Sequence, residues 1–241
     1  MSHTGQLLNL QTPDGRLLPV WAAIPEGPLR GAVVVLQEIF GVNSHIRAVT
    51  ERFAARGFAA VAPALFYRLA PCDTLGVELG YSDADMQQGR QLKAQAEALP
   101  PPGVGQDICT AVDWLASTTG QKVGAVGFCW GGLLAWRAAC SLPQLSAAVC
   151  YYGGGMTGPE ELRRQPLCPV MAHFGRQDHF IHIDTVFDFD RAQPQARVFV
   201  YDADHGFNCD QRASYDDASA LVARDRTLAF LDAQLQGEPA R

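Results

Sequence analysis

Three short apolar runs limit what this chain can become. Residues 31–36 read Gly31-Ala32-Val33-Val34-Val35-Leu36, residues 58–63 run from Phe58 to Pro63 through small apolar side chains, and residues 123–128 run from Val123 to Phe128. None alternates polar with apolar positions. A strand with one face in water alternates, so runs of this kind belong to strands covered on both faces, in a parallel sheet flanked by helices.

The stretches between them carry helix signals. Asn43 or Ser44 caps a helix running to Arg56, with Gly57 as its stop. Residues 82–99, ended by three prolines, form a polar surface helix, and residues 104–117 place Ile108, Val112, Trp114 and Leu115 on one side of another. Further strands are expected at 121–128, 147–151, 170–175 and 197–201, and further helices at 130–141 and 214–235. Residues 7–11 and 16–23 flank a turn at Asp14-Gly15 and form an antiparallel hairpin. The alternation predicts an α/β fold with a mostly parallel central sheet, helices on both faces and an N-terminal hairpin. At 241 residues, with no repeat or linker, one domain over 1–241 is the economical reading.

Composition excludes several classes. The chain is 48% hydrophobic and 18% charged, which is a core-forming and not a disordered composition. Net charge is −6 and no basic patch stands out, so nucleic acid is not an expected partner. No apolar run spans a membrane and no signal peptide opens the sequence, which predicts a cytoplasmic protein. Seven cysteines, among them Cys72, without framework spacing read as reduced thiols. His179 and His182 lack an evident third ligand, so no metal site and no cofactor are expected, and Gly153-Gly154-Gly155 lacks the lysine of a phosphate loop. The oligomeric expectation is a monomer or homodimer.

In open parallel sheets, functional groups collect beyond the carboxyl ends of strands. Three such ends carry reactive side chains. Gly127-Phe128-Cys129-Trp130-Gly131-Gly132 has the pattern of a nucleophile elbow with sulfur in place of a hydroxyl, and a helix N-terminus follows it. The plain alternative is a core cysteine in a turn. Asp178 follows the strand 170–175, where it would either orient an imidazole or cap a turn. His205 follows the last strand, as a base or as a solvated loop histidine, and Asp202 and Asp204 lie too near in sequence to aim at its ring. Taken together, the chain order nucleophile–acid–histidine is that of α/β-hydrolases.

With those motifs in place, the sequence resembles the dienelactone hydrolase (carboxymethylenebutenolidase-like) family. The resemblance rests on Gln37-Glu38-Ile39-Phe40-Gly41 with Asn43 and His45-Ile46-Arg47, on the Cys129 elbow, on Gly175-Arg176-Gln177-Asp178 and on His205-Gly206-Phe207-Asn208. Tyr215 and Arg226-Thr227-Leu228 extend it to the last helix. It implies an α/β-hydrolase fold and a cofactor-free hydrolase that opens a small lactone or activated ester through Cys129, His205 and Asp178 by way of a thioester. It further implies an oxyanion hole from the backbone N–H groups of Ile39 and Trp130, and a Glu38 that contacts the resting thiol and helps to ionise it. Arg68 would hold Glu38 or a substrate carboxylate, and Phe40, Tyr152 and Phe207 would line the pocket. Physics alone favours a partner for Glu38, because a carboxylate ending a strongly apolar strand is costly unless paired.

The sequence departs from the family at Cys209, where an arginine is expected, and at Gly206, where a serine is expected, with Arg212 nearby. Dienelactone itself is therefore expected to be a poor substrate. Two other readings stand beside this one: a small carboxylester or thioester hydrolase using the same three residues, and a non-catalytic small-molecule-binding homologue.

Overall fold

The structure is a computed structural model that describes residues 5–69, 74–101 and 103–236. Eight strands form a single sheet in the order β1-β2-β4-β3-β5-β6-β7-β8. They are β1 (Gln6–Gln11), β2 (Leu17–Ala23), β3 (Gly31–Leu36), β4 (Phe58–Pro63), β5 (Val123–Phe128), β6 (Leu145–Tyr151), β7 (Val170–Gly175) and β8 (Arg197–Tyr201). From β4 to β8 neighbours pair parallel, whereas β1 and β2 pair antiparallel, as do β2 and β4. Every residue of β3, β4, β5 and β7 is buried, as their unbroken apolar sequences demand.

The expected hairpin forms. The Thr12 N–H donates to the Arg16 carbonyl at 2.9 Å, and Gly15 takes a φ of +80° that other residues rarely adopt. Six α-helices connect the strands: α1 (Ser44–Ala55), α2 (Asp83–Glu97), α3 (Gly103–Thr119), α4 (Trp130–Ser141), α5 (Ile183–Ala192) and α6 (Asp217–Leu235). Asn43 caps α1 by accepting the Ile46 N–H at 3.2 Å, and Ser82 closes a reciprocal capping box with Asp85 at the start of α2. Helices α4 and α6 cover opposite faces of β5. A Cβ on Gly124 would meet Leu231 and Leu235 of α6, whereas one on Gly127, an odd number of residues on, would meet Gly131 of α4.

Two elements were not anticipated, α5 and a single 3₁₀ turn at Glu161–Arg163. The expected final helix starts later than residue 214, because Asp216 caps it through the Ser219 N–H at 2.8 Å. Six cysteines among the described residues are free thiols, and the expectation for Cys72 lies outside those residues. No helix among them is long and apolar enough to cross a membrane.

Candidate active site

Five adjacent parallel strands point their carboxyl ends at one edge of the sheet, and each delivers one side chain there. Glu38 follows β3, Cys129 follows β5, Tyr152 follows β6, Asp178 follows β7 and His205 follows β8. Sequence separation of well over a hundred residues between Glu38 and His205 is thereby reduced to four strand spacings, roughly 19 Å at most before the loops turn inward.

Cys129 sits on a strained turn. Its φ of 55° and ψ of −115° are unusual for a residue with a Cβ. Its N–H donates to the Tyr151 carbonyl at 3.0 Å, which holds the turn against β6. The neighbouring glycines are steric requirements: a Cβ on Gly127 would lie 1.9 Å from the Gly131 carbonyl oxygen, and one on Gly131 would lie 2.3 Å from that of Leu36. The chain then enters α4 directly, so the N–H of Trp130 opens the helix without an intrahelical acceptor, whereas that of Gly132 already donates to the Cys129 carbonyl at 3.0 Å.

His205 and Asp178 meet as the chain order suggested. Asp178 Oδ2 lies 2.7 Å from His205 Nδ1, and its other oxygen accepts the N–H groups of Phe180 and Ile181 at 2.8 and 3.1 Å. One carboxylate thus caps its own loop and orients the ring. Burial alone would lower the His205 pKa, but the facing Cys129 and the Asp178 hydrogen bond outweigh it and push it up to about 10. Cys129 acts on the ring both by charge and by a side-chain hydrogen bond. The ring is braced by Tyr152 (5.1 Å between centroids) and Phe180 (5.2 Å). Asp204 points elsewhere, to the backbone N–H of His205 at 2.6 Å and to His179 at 3.0 Å. His179 and His182 do not converge, since His182 instead caps α5.

The expected partner of Glu38 requires correction. Arg68 does not reach it. Its guanidinium is committed to Asp107 (2.6 and 2.7 Å) and to Asp14 (2.7 Å), which fastens the loop after β4 to α3 and the hairpin turn. Glu38, fully buried, is held instead by Arg212 Nη1, which donates to Oε1 at 3.3 Å, and by the Tyr81 hydroxyl, which donates to Oε2 at 3.5 Å. Tyr81 accepts in turn from Asn43 Nδ2 (3.2 Å) and Cys209 Sγ (3.3 Å). Burial and the Glu38 charge raise the Tyr81 pKa far enough to keep its proton in place as a donor.

Arg212 and Tyr81 escaped the sequence reading as site residues. A signal for Arg212 lay in the two departures from the family pattern. Gly206, at φ +80°, leaves the space its guanidinium fills, since a Cβ there would lie 2.5 Å from Nη1. An arginine arriving from position 212 fits only because position 206 has no side chain.

The remaining expectations are placed as follows. Gln37 fixes the end of β3, with Oε1 accepting the Leu65 N–H at 3.0 Å, and so fixes where Ile39 begins the next turn. Trp130 stacks on Phe66 at 5.2 Å and donates from its indole to Glu97 at 3.1 Å. Phe40, Tyr152 and Phe207 are buried to 2% exposure or less, so they back the site and offer no open wall. A cavity of about 260 Å³ beside His205 is lined instead by Tyr81, Met86, Phe180 and Arg212, among others. Beneath the site a buried chain runs from the Tyr151 hydroxyl to Thr227 (2.6 Å), His173 and Tyr201, which gives the Arg226-Thr227 pair of the last helix its place.

Known proteins resemble this chain over most of its length. The dienelactone hydrolase family model matches residues 18–235. A carboxymethylenebutenolidase from Pseudomonas putida is 31% identical over 232 residues, covering 93% of this chain and 94% of its own. A crystal structure named "Putative Dienelactone Hydrolase", from Klebsiella pneumoniae, superposes with a TM-score of 0.79 at 31% identity over 94% of this chain and 97% of that one. A Pyrococcus furiosus esterase, 16% identical over 94% of this chain and 93% of its own, shares the fold with a TM-score of 0.63.

Proposed function

Since the chain belongs to the dienelactone hydrolase family and is a lactone or ester hydrolase, we propose that it opens a small lactone or activated ester by covalent catalysis at Cys129. The Cys129 thiolate adds to the carbonyl carbon, and the electron pair of the C=O bond moves to oxygen. The backbone N–H groups of Trp130 and Ile39 receive that oxyanion. Collapse of the adduct breaks the ring or ester C–O bond, and the departing oxygen takes a proton from His205. The product is a thioester on Cys129. Water then attacks the thioester while His205 accepts its proton, and the thiolate leaves. Asp178 holds the imidazole in the tautomer both steps need.

A thiolate suits substrates whose leaving oxygen is already stabilised. From an amide adduct it would be expelled before the amine, so peptide bonds are poor substrates for this arrangement. Glu38, restrained by Arg212 and Tyr81, accepts the thiol proton as the site ionises and passes it on to His205, which enters the cycle as the imidazolium. A substrate carboxylate that engages Arg212 competes for the guanidinium and frees Glu38. Arg212 thereby fills the anion-binding role that the sequence leaves vacant at Cys209, and Arg68 has no part in the reaction.

The observation that carries this reading is the convergence of a strained Cys129 with an imidazole fixed at 2.7 Å by a buried carboxylate. Mass spectrometry of enzyme quenched during turnover of an aryl ester should show an acyl group on the peptide containing Cys129, and Cys129→Ala should abolish turnover while the circular-dichroism spectrum stays unchanged. Full activity in that variant would refute the mechanism. A panel that includes dienelactone and simple aryl esters separates the lactone reading from the esterase reading.

A further inference from the structure

Around the buried carboxylate of Glu38, three dissimilar donors lie together. A carboxylate oxygen of Glu38, a ring nitrogen of His45 and Sγ of Cys209 all lie within 4.8 Å of one another, and all three residues are buried. They come from three separate places in the chain: the turn after β3, the first turn of α1 and the loop before α6.

The histidine supplies an independent indication. His45 has no exposed surface, and its Nδ1 lies 3.3 Å from Asp210 Oδ1. Its Nε2 is buried with no hydrogen-bond partner. A buried ring nitrogen left unpaired is unfavourable by about 1–3 kcal/mol and needs a reason. A neutral imidazole carries a proton on one ring nitrogen and a lone pair on the other. With the proton on Nδ1 facing Asp210, that lone pair is on Nε2. A histidine that gives one N–H to a carboxylate and offers the other nitrogen is arranged as metal-ligating histidines are.

We propose that Glu38, His45 and Cys209 bind a thiophilic divalent cation of the zinc class, and that its occupation inhibits the hydrolase. Sulfur, imidazole and carboxylate together select zinc or cadmium over magnesium or calcium. A tetrahedral ion with bonds of about 2.0–2.3 Å requires donors roughly 3.3–3.6 Å apart, so the three need to close in by about 1 Å. On binding, the Cys209 S–H bond breaks, its proton passes to solvent and a metal–sulfur bond forms. Thiolate and carboxylate then neutralise the dication. This balance matters because Arg212 and Arg52 are the nearby cations, and Arg52 is already paired with Asp210 at 3.3 Å. Water fills the fourth position. Tyr81 gives up its contacts with Cys209 and Glu38, and Arg212 releases the Glu38 oxygen that the ion takes.

Inhibition rests on the role proposed above for Glu38: a carboxylate bound to metal cannot accept a proton from the thiol. Binding itself does not depend on that role, and the two are tested separately. Cadmium chloride is titrated into Cys129→Ser protein, in which the elbow thiol is absent, and the ultraviolet thiolate-to-cadmium charge-transfer band is recorded. The expected result is a band that persists in Cys129→Ser and loses one equivalent in Cys129→Ser/Cys209→Ser. Asp210→Asn, a change at the surface, should weaken binding by about 10- to 100-fold without unfolding the chain. A band unchanged by Cys209→Ser overturns the site whatever the activity data show. For inhibition, each otherwise wild-type variant is compared with itself, with and without zinc chloride. Hydrolysis should fall in the wild type and be spared in Cys209→Ser, and zinc-insensitive hydrolysis in a wild type that shows the band would overturn the inhibitory half alone. A catalytic role for Cys129 stands or falls on Cys129→Ala, independently of either outcome.

Discussion

Arg212 occupies the place that a side chain on Gly206 would need: a Cβ there would lie 2.5 Å from Nη1 and 2.7 Å from Cζ of the guanidinium. The absence of a side chain at one position and the arrival of a long cation from six residues on are one structural event. Gly206→Ser should therefore displace Arg212 and act like Arg212→Met. Both variants should raise KM for carboxylated esters far more than for neutral esters of the same leaving group. Steady-state kinetics on a matched pair of substrates checks this, and equal effects on both substrates would remove Arg212 from anion binding. Arg212→Lys should fail to rescue, because an ammonium cannot hold Glu38 and a carboxylate in the same plane.

Arg68 predicts the opposite pattern. Its side chain is 5% exposed and Asp107 is fully buried, so removing the guanidinium strands a carboxylate in the core. Arg68→Met should cost about 3–5 kcal/mol of stability, the usual penalty for breaking a buried pair from one side. Below the melting transition, kcat and KM should hardly change. Urea denaturation together with kinetics tests it; a large KM effect in a stable protein would return Arg68 to the substrate site.

The contrast between the two arginines shows what the sequence could and could not tell. The strands over Gly31–Leu36 and Phe58–Pro63 were legible to their ends because burial on both faces is written in the local run of side chains. Cys129, Asp178 and His205 were legible because each lies just beyond the end of a strand, and parallel strands bring their ends to one edge. Partner choice is different. Arg68 closes on Asp107, 39 residues away on α3, and Arg212 closes on Glu38, 174 residues away; no local pattern encodes either distance. Helix α5 escaped the sequence reading because its 10 residues bury only Val186 and Phe189, at i and i+3, a short pattern even with Arg191 in the last turn. Phe40, Tyr152 and Phe207 were expected to line the pocket and are buried, because a sequence does not tell a backing layer from an open wall.

Asp178→Asn isolates the orienting hydrogen bond. The amide oxygen can still accept the N–H groups of Phe180 and Ile181, so the loop should hold. The amide nitrogen, however, presents a donor to His205 Nδ1 and favours the wrong tautomer. In the serine enzymes with this arrangement such a change lowers kcat by about ten-thousandfold. A comparable loss with an unchanged melting temperature is expected here. A loss below tenfold would mean that His205 is positioned by Tyr152 and Phe180 and not by Asp178.

The raised pKa of His205 gives a test with a definite sign. Burial opposes the imidazolium, the facing Cys129 and the Asp178 hydrogen bond favour it, and the balance pushes its pKa up to about 10. The same attraction acts in reverse: an imidazolium favours the anion that Cys129 becomes when its thiol gives up a proton. An ordinary thiol ionises only near about 8.5. The ratio of the iodoacetamide alkylation rate at Cys129 in the wild type to that in His205→Gln should thus be largest near pH 6 to 7. It should shrink as pH rises, because the variant's thiol ionises unaided and because His205 loses its proton on the approach to about 10. Peptide mass mapping resolves the thiols and supplies an internal control: burial pushes Cys140 up to about 12 and Cys168 up to about 11, so both should lag at every neutral pH. A ratio that is flat, or that grows with pH, would show that the imidazole does not carry the charge that activates the sulfur.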